Sequence, residues 1–226
     1  MIQTVALIVA GGTSQRFGMQ TPKQYCLLGG KSILKHTVER FYHHPLIDEV
    51  RVVIHPDHRD YYDAAVDGLS LPSPIIGGKE RYESVLNGLM HYEHSKAQKI
   101  LIHDAARPFI SKSIITQHVE ALSHSKATLT AIKATDTIKH QDGQKLKTLD
   151  RNHILLAQTP QGFHYSDILK RYKKFMAGDD RKSITDDVSL YEDENDAVTI
   201  INGARYNIKI TVQDDLKMGE YLCQTL

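Results

Sequence analysis

The chain has 226 residues, with 28 lysines and arginines against 27 aspartates and glutamates, and 41% apolar residues. That length suits one domain, or one plus a small appendage, and the apolar fraction is that of a packed core, which excludes general disorder. A formal charge of +1 argues against a broad electrostatic footprint for nucleic acid, and the longest clean apolar run, Val5–Ala10, falls far short of the ~18 residues of a membrane span.

Met1 leads into a strand-like segment without the basic and small-residue regions of a signal peptide. Cys26 and Cys223, the only cysteines, form no short metal or redox spacing, which fits a reducing cytoplasm. These features predict a soluble cytoplasmic protein with neither nucleic acid nor membrane as partner.

In chain order, Val5–Val9 is a continuous apolar run, as expected of a strand buried on both faces. Ser32–Phe41 has helical spacing in Ile33, Leu34, Thr37, Val38 and Phe41. Val50–Ile54 is β-branched and short, Asp57–Val66 reads as helix, and Pro74–Ile76 is a brief strand before two glycines. Arg81–His91 is helical, Lys99–His103 a strand, Ser113–Leu122 a helix and Ala127–Ile132 a strand. Strands alternating with helices of this length predict right-handed crossovers and a mostly parallel sheet, so the class is α/β.

Two later regions break the rhythm. Thr137–His140 and Lys145–Leu149 are short extended runs joined by Gln141-Asp142-Gly143-Gln144, a hairpin signal because Asp-Gly tolerates positive φ. A lone two-stranded ribbon is marginal in water and needs a surface, supplied by its own domain or by a second copy of the chain; the residues alone favour the first. Val198–Ile201 and Tyr206–Ile210 read as a last strand pair before a terminal helix, with Thr211 and Asp214 in the form of a capping box.

The most informative stretch runs from Val9 to Gln24. It follows the first strand, where the carboxyl ends of a parallel sheet form the ligand crevice. Ala10, Gly11 and Gly12 let backbone N–H groups face an anion or a base edge, and Arg16 and Lys23 add two cations. The competing reading is a surface loop with two solvated cations. Gly77-Gly78, with Ser84 following, is alone a turn before a helix, but beside the first loop it offers a second approach to a flat base. Asp104, at the end of another strand, suits a metal or a ribose hydroxyl and Arg107 a phosphate; an Asp104–Arg107 ion pair is an equal alternative. In Asn207–Thr211, alternation turns Ile208 and Ile210 inward and puts Asn207, Lys209 and Thr211 on the other face. Thr185-Asp186-Asp187 reads as a helix start.

Other chemistries are excluded by spacing. From Gly12, the third and sixth positions of a dinucleotide fingerprint hold Ser14 and Phe17, and Gly30-Lys31-Ser32 lacks the upstream glycine of a Walker A loop, where Tyr25 stands. Gly29-Gly30 is a turn, with Ser32 opening a helix. His91 and His94 have no evident third ligand, and no serine-nucleophile elbow or catalytic cysteine context occurs.

Taken together, Ala10-Gly11-Gly12 with Arg16 and Pro22-Lys23-Gln24, Gly77-Gly78 with Arg81 and Ser84-Val85, and His103–Pro108 resemble the 2-C-methyl-D-erythritol 4-phosphate cytidylyltransferases. Asp136–Lys139, Asp150-Arg151, Gln158–Gln161, Thr185–Asp187 and Asn207–Thr211 continue the match in order, over nearly the whole chain. The resemblance implies a Rossmann-like nucleotidyltransferase sheet flanked by helices, forming a single domain over residues 1–226. It also implies a protruding β-hairpin arm at about 134–152 that embraces a second copy in a homodimer, which reverses the preference for self-packing. The implied reaction joins CTP and the methylerythritol phosphate, releasing pyrophosphate, in non-mevalonate isoprenoid biosynthesis.

Carried over residue by residue, Arg16 and Lys23 would stabilise the transition state, and Arg151 and Lys209 would hold the attacking phosphate, Arg151 from the partner's arm. Ala10, Gly11, Gly12, Gly78 and Ser84 would receive cytosine, and Asp104 the ribose or the metal-nucleotide. Arg107, Thr137, Thr159 and Thr185 would bind the sugar phosphate. Mg²⁺, or another divalent cation, would be bridged mainly by CTP phosphates. One departure is Ser14, where the family usually has glycine; at a positive φ it would cost of order 1 kcal/mol. Some relatives carry a fused cyclase domain, whereas this chain stops after the transferase. The alternatives are a ribitol 5-phosphate cytidylyltransferase and a non-catalytic CTP-binding regulatory module. Asp104–Arg107, Lys139 and Thr185–Asp187 lean away from the first, and the intact Arg16, Lys23, Arg151 and Lys209 speak against the second.

Overall fold

The structure, a computed structural model, describes residues 3–12, 17–18, 20–178, 184–192 and 198–226. Ser14 and Arg16 therefore lie outside the described residues. Strand β1 (Thr4–Ala10) is buried along nearly its whole length, as its unbroken apolar run requires. Two-residue strands β2 (Leu27–Leu28) and β3 (Lys31–Ser32) close around Gly29 and Gly30, at φ +56° and +82°, the left-handed region that glycine enters without strain. Ser32 then caps α1 (Ile33–Tyr42), its hydroxyl accepting from the Lys35 amide at 3.0 Å.

The alternation continues as expected through β4 (Glu49–Ile54), a 3₁₀ turn at Pro56–His58, α2 (Arg59–Ala65) and β5 (Ile75–Ile76). It then runs through α3 (Arg81–His91), β6 (Lys99–Asp104), α4 (Lys112–Ala121) and β7 (Ala127–Lys133). Beyond the arm strands β8 (Ile138–Asp142) and β9 (Lys145–Leu149) come β10 (Leu155–His164), α5 (Tyr165–Ala177), β11 (Val198–Asn202) and α6 (Gln213–Thr225). The seven-stranded sheet is ordered β11-β7-β10-β6-β1-β4-β5, and only β10 runs antiparallel to its neighbours. It is a Rossmann-like α/β sheet covered on both faces.

The period of two along β1 sorts the core. Ala6, Ile8 and Ala10 pack with Leu34, Val38 and Phe41 of α1 and Ile115 of α4. Val5 and Leu7 pack on the opposite face with Val85 and Leu89 of α3 and Ile168 and Tyr172 of α5. Each such fully buried Leu or Phe side chain stabilises the fold by ~1.5–3 kcal/mol. A third cluster seats α6: Phe17, Leu28, Ile33, Phe109 and Ile210 are buried against Leu216 and Leu222.

The structure corrects several expectations. Tyr206–Ile210 is not a strand: Asn207 turns inward, fully buried, and its Nδ2 donates to Gln158 Oε1 at 3.1 Å and the Thr159 carbonyl at 3.0 Å. Buried hydrogen-bonding demand overrides the apolar alternation there. The residue capping α6 is Asp215, not Asp214; its carboxylate accepts from the Thr211 and Val212 amides at 2.6 and 2.9 Å. Thr185–Asp187 leads into a single 3₁₀ turn, Val188–Tyr191, rather than an α-helix. Strand β10 and α5 lie beyond the elements expected from the sequence, and Gln158, Thr159 and Gln161 are polar residues buried in the middle of the sheet. The arm forms its own two-stranded sheet, turning at Gly143 (φ +55°), with every residue exposed or half-buried and Leu146 at 64% exposure. Within one chain, then, the arm does not lie on its own domain as the residues alone had favoured.

Candidate active site

The carboxyl ends of β1 and β6 stop side by side, with Val9 opposite Asp104 in the parallel register. Each strand releases a loop of small residues, Ala10-Gly11-Gly12 and Ala105-Ala106, and the loop from β5 brings Gly77-Gly78 to the start of α3. Between them is a cavity of about 500 Å³. Ala10, Gly11, Gly12, Lys23, Gly78, Ser84, Asp104 and Lys209 all line it, as do Arg81, Lys79, Gln24 and Phe17. This is the crevice where strand order reverses in open α/β sheets.

The glycine walls owe their shape to close approach. Ser84 Oγ donates to the Glu80 carbonyl at 3.2 Å and accepts from the Gly78 amide at 3.1 Å. A Cβ on Gly11 would sit 3.0 Å from that oxygen, and one on Gly78 would sit 2.4 Å from Glu83 Cβ. Glu83 also accepts from the Lys79 and Glu80 amides at 2.7 and 3.1 Å, so the loop is pinned as α3 begins.

Asp104 is the electrostatic hub. Its carboxylate meets Lys209 Nζ at 2.8 Å, Arg81 Nε at 3.4 Å and Arg107 Nε at 3.7 Å. Burial pushes this carboxyl up, but Arg81, Lys209 and Arg107 outweigh it and hold it well below the usual carboxylate range. Lys209 arrives from the irregular segment after β11, anchored by the Ile210 amide on the Ala106 carbonyl at 2.8 Å. Arg81 also grips Asp187 through two bonds, at 3.0 and 2.7 Å. Asp187 is fully buried and takes its backbone partner from Gln161 Oε1 at 2.8 Å.

Beneath Asp104, Thr159 Oγ1 accepts the Asp104 amide at 3.1 Å and lies 3.0 Å from His103 Nδ1, while His103 Nε2 lies 3.0 Å from the Arg107 carbonyl. A neutral imidazole with its proton on Nε2 satisfies all three contacts. Burial lowers the His103 pKa to about 4, which keeps it in that form.

Other expected site residues are placed differently. Thr159 and Arg107 stand behind the wall: the hydroxyl is used within the protein, and Arg107 forms the ion pair with Asp104 and donates to the Asn207 carbonyl at 2.8 Å. Arg151, Thr137 and Thr185 are exposed and outside the cavity lining, with Arg151 bonded to the Thr135 carbonyl at 2.5 Å. Gln24, Arg81 and Asp187 were given no role from sequence. Arg81 and Asp187 are far apart in the chain, and nothing local marks them as partners. His91 and His94 are exposed, and among the described residues no group of three or more metal-ligating side chains is found. Nor, among those residues, is any helix long and apolar enough to cross a membrane.

A family model described as 2-C-methyl-D-erythritol 4-phosphate cytidylyltransferase matches residues 4–225. The protein of that name from Syntrophus aciditrophicus is 40% identical, over 96% of this chain and 94% of its own length. A bifunctional enzyme IspD/IspF from Paramagnetospirillum magneticum is 41% identical over 98% of this chain, which spans 57% of that relative's length. The crystal structure of 4-diphosphocytidyl-2C-methyl-D-erythritol synthase from Anaerococcus prevotii superposes with a TM-score of 0.87 at 28% identity, covering 99% of this chain and 96% of the other. With a matching model over almost its full length and a cavity lined by the expected glycines and lysines, the chain belongs to the 2-C-methyl-D-erythritol 4-phosphate cytidylyltransferase family.

Proposed function

We propose that this chain transfers a cytidylyl group from CTP to 2-C-methyl-D-erythritol 4-phosphate. The observation that carries the reading is a single cavity in which a glycine-walled slot lies next to Lys23, Lys209 and Asp104. A substrate phosphate oxygen attacks the α-phosphorus, the bond from that phosphorus to the β-phosphate bridging oxygen breaks, and pyrophosphate leaves with its electron pair. No covalent enzyme intermediate is needed, so catalysis is positioning plus stabilisation of charge on phosphoryl oxygens. The slot formed by Ala10–Gly12, Gly78 and Ser84 admits a flat base by backbone contact. Lys23, with Arg16 from the same excursion, stabilises the transition state, and Lys209 holds the attacking phosphate. Arg107 and Thr159 support Asp104 from behind.

Asp104 and Glu80 are the carboxylates of the cavity lining, and Asp104 is already paired with Lys209, Arg81 and Arg107, so a divalent cation would be held here chiefly by the bound CTP, with Asp104 as its nearest protein carboxylate. Such an ion would neutralise charge on the triphosphate. Thr137 and Arg151, at the base of the arm, would reach the sugar phosphate in a second copy of the chain, which makes the working form a homodimer. Thr185 would complete that subsite.

Purified protein with Mg²⁺, CTP and the methylerythritol phosphate is expected to release pyrophosphate, with ribitol 5-phosphate a much poorer acceptor. Equal rates would remove the substrate assignment, and tight CTP binding without any turnover would leave a binding module instead.

A further inference from the structure

Gln24 is buried, at 3% exposure, in the same 3₁₀ turn as Lys23 (Lys23–Tyr25). Its side-chain Nε2 donates to the Ala10 carbonyl at 2.8 Å and to the Gly12 carbonyl at 3.0 Å. Those carbonyls belong to the wall that receives the base, while Lys23 projects into the same cavity. A primary amide has two hydrogens for two acceptors, and no other side chain of this length offers them without a charge. The turn is held at its other end as well. The Tyr25 amide donates to the Pro22 carbonyl at 2.9 Å, and the buried Tyr25 ring stacks on Tyr61 at 5.4 Å. Lys23 is thus carried by a turn fixed on its far side by packing and on its near side by Gln24.

We infer that Gln24 is a positioning residue that ties the glycine wall to Lys23, so that the seat of the base and the cation at the α-phosphate keep one separation. The inference rests on the cytidylyl-transfer reading. Reacting groups tolerate little displacement: a shift of ~1 Å far from the chemistry can cost ~10²-fold in rate.

The test compares Gln24→Met, which keeps the length and removes both donors, with Gln24→Glu, which sets a carboxylate against two carbonyl oxygens. Both are made in wild-type and Lys23→Ala backgrounds. In the wild-type background kcat is expected to fall by ~10- to 10²-fold, KM for CTP to rise and KM for the acceptor to stay unchanged. In the Lys23→Ala background the kcat loss should vanish while the rise in KM for CTP persists, since coupled residues are not additive. Two results overturn the inference: a lowered melting temperature with wild-type kinetics, or an undiminished kcat loss after Lys23 is gone. Absence of turnover in the wild-type protein itself is a different failure, that of the transferase reading, and takes this inference with it.

Discussion

Lys23 and Lys209 enter the cavity from segments far apart in the chain, and Asp104 lies at the end of β6. Lys209 is held by Asp104 at 2.8 Å, and Lys23 belongs to the buried turn that Gln24 anchors. Replacing Lys23 by alanine is expected to lower kcat by ~10²–10³-fold, the effect of one lost electrostatic donor in a dry site, as read from pyrophosphate release; an unchanged kcat removes Lys23 from the mechanism. That Lys23, Asp104 and the glycines would share a crevice was legible because small residues and cations after buried strands have a local reason to be there, whereas Lys209 was drawn to it only by the family resemblance; all of them line one cavity. The Arg81–Asp187 pair was not legible, since each residue alone reads as an ordinary helix-terminal charge. Only the meeting of α3 with the segment before Val188 makes them a bidentate bond.

At the scale of elements, patterns held wherever one periodicity dominated. The apolar run of β1 and the cap at Ser32 each had a single physical reading, and both elements form where that reading puts them. Strand β10 escaped because Gln158, Thr159 and Gln161 are buried polar residues whose partners lie elsewhere in the chain: the Ala204 carbonyl, the Asp104 amide and the Asp187 amide. The arm poses the reverse case, clear as a hairpin yet with Leu146 uncovered. If it completes a neighbouring site, Lys23→Ala and Arg151→Ala subunits, each strongly impaired alone, should regain activity when combined. One of the two sites in a verified heterodimer would then be intact, giving about half the wild-type rate in an isologous pair. Heterodimers without recovered activity would place Arg151 outside the shared chemistry.

Across the described residues, four buried histidines, His44, His58, His103 and His118, have pKa values lowered by burial and couple stability to pH, and His103 and His118 are nearly or wholly enclosed. His118 bridges Thr128 and Thr130, with both ring nitrogens at 2.6 Å from a hydroxyl, and burial lowers its pKa to about 3; His103 is lowered to about 4. In the unfolded chain both titrate near the ordinary 6.5, so on acidification the unfolded state takes up protons that the folded state refuses. Their contribution is complete above about pH 6.5 and is lost as pH falls toward 4, by about 2 kcal/mol per histidine between pH 7 and 5. Urea midpoints across that range should fall accordingly, with His118 keeping a neutral ring by NMR at pH 5. A flat stability profile would contradict the neutral buried state.

The order of residues along the chain was enough to determine the α/β class, the crevice after β1, the turn at Gly29-Gly30 and the hairpin, because each depends on neighbours within a few positions. Tertiary structure alone decided that β10 threads antiparallel through the sheet, that Asn207 faces inward, and that Asp104 gathers Arg81, Arg107 and Lys209 around one carboxylate. The reason is physical: apolar burial repeats with the local backbone period and can be read from spacing. A buried charge or amide is stable only beside a particular partner, and that partner is chosen by how the sheet closes.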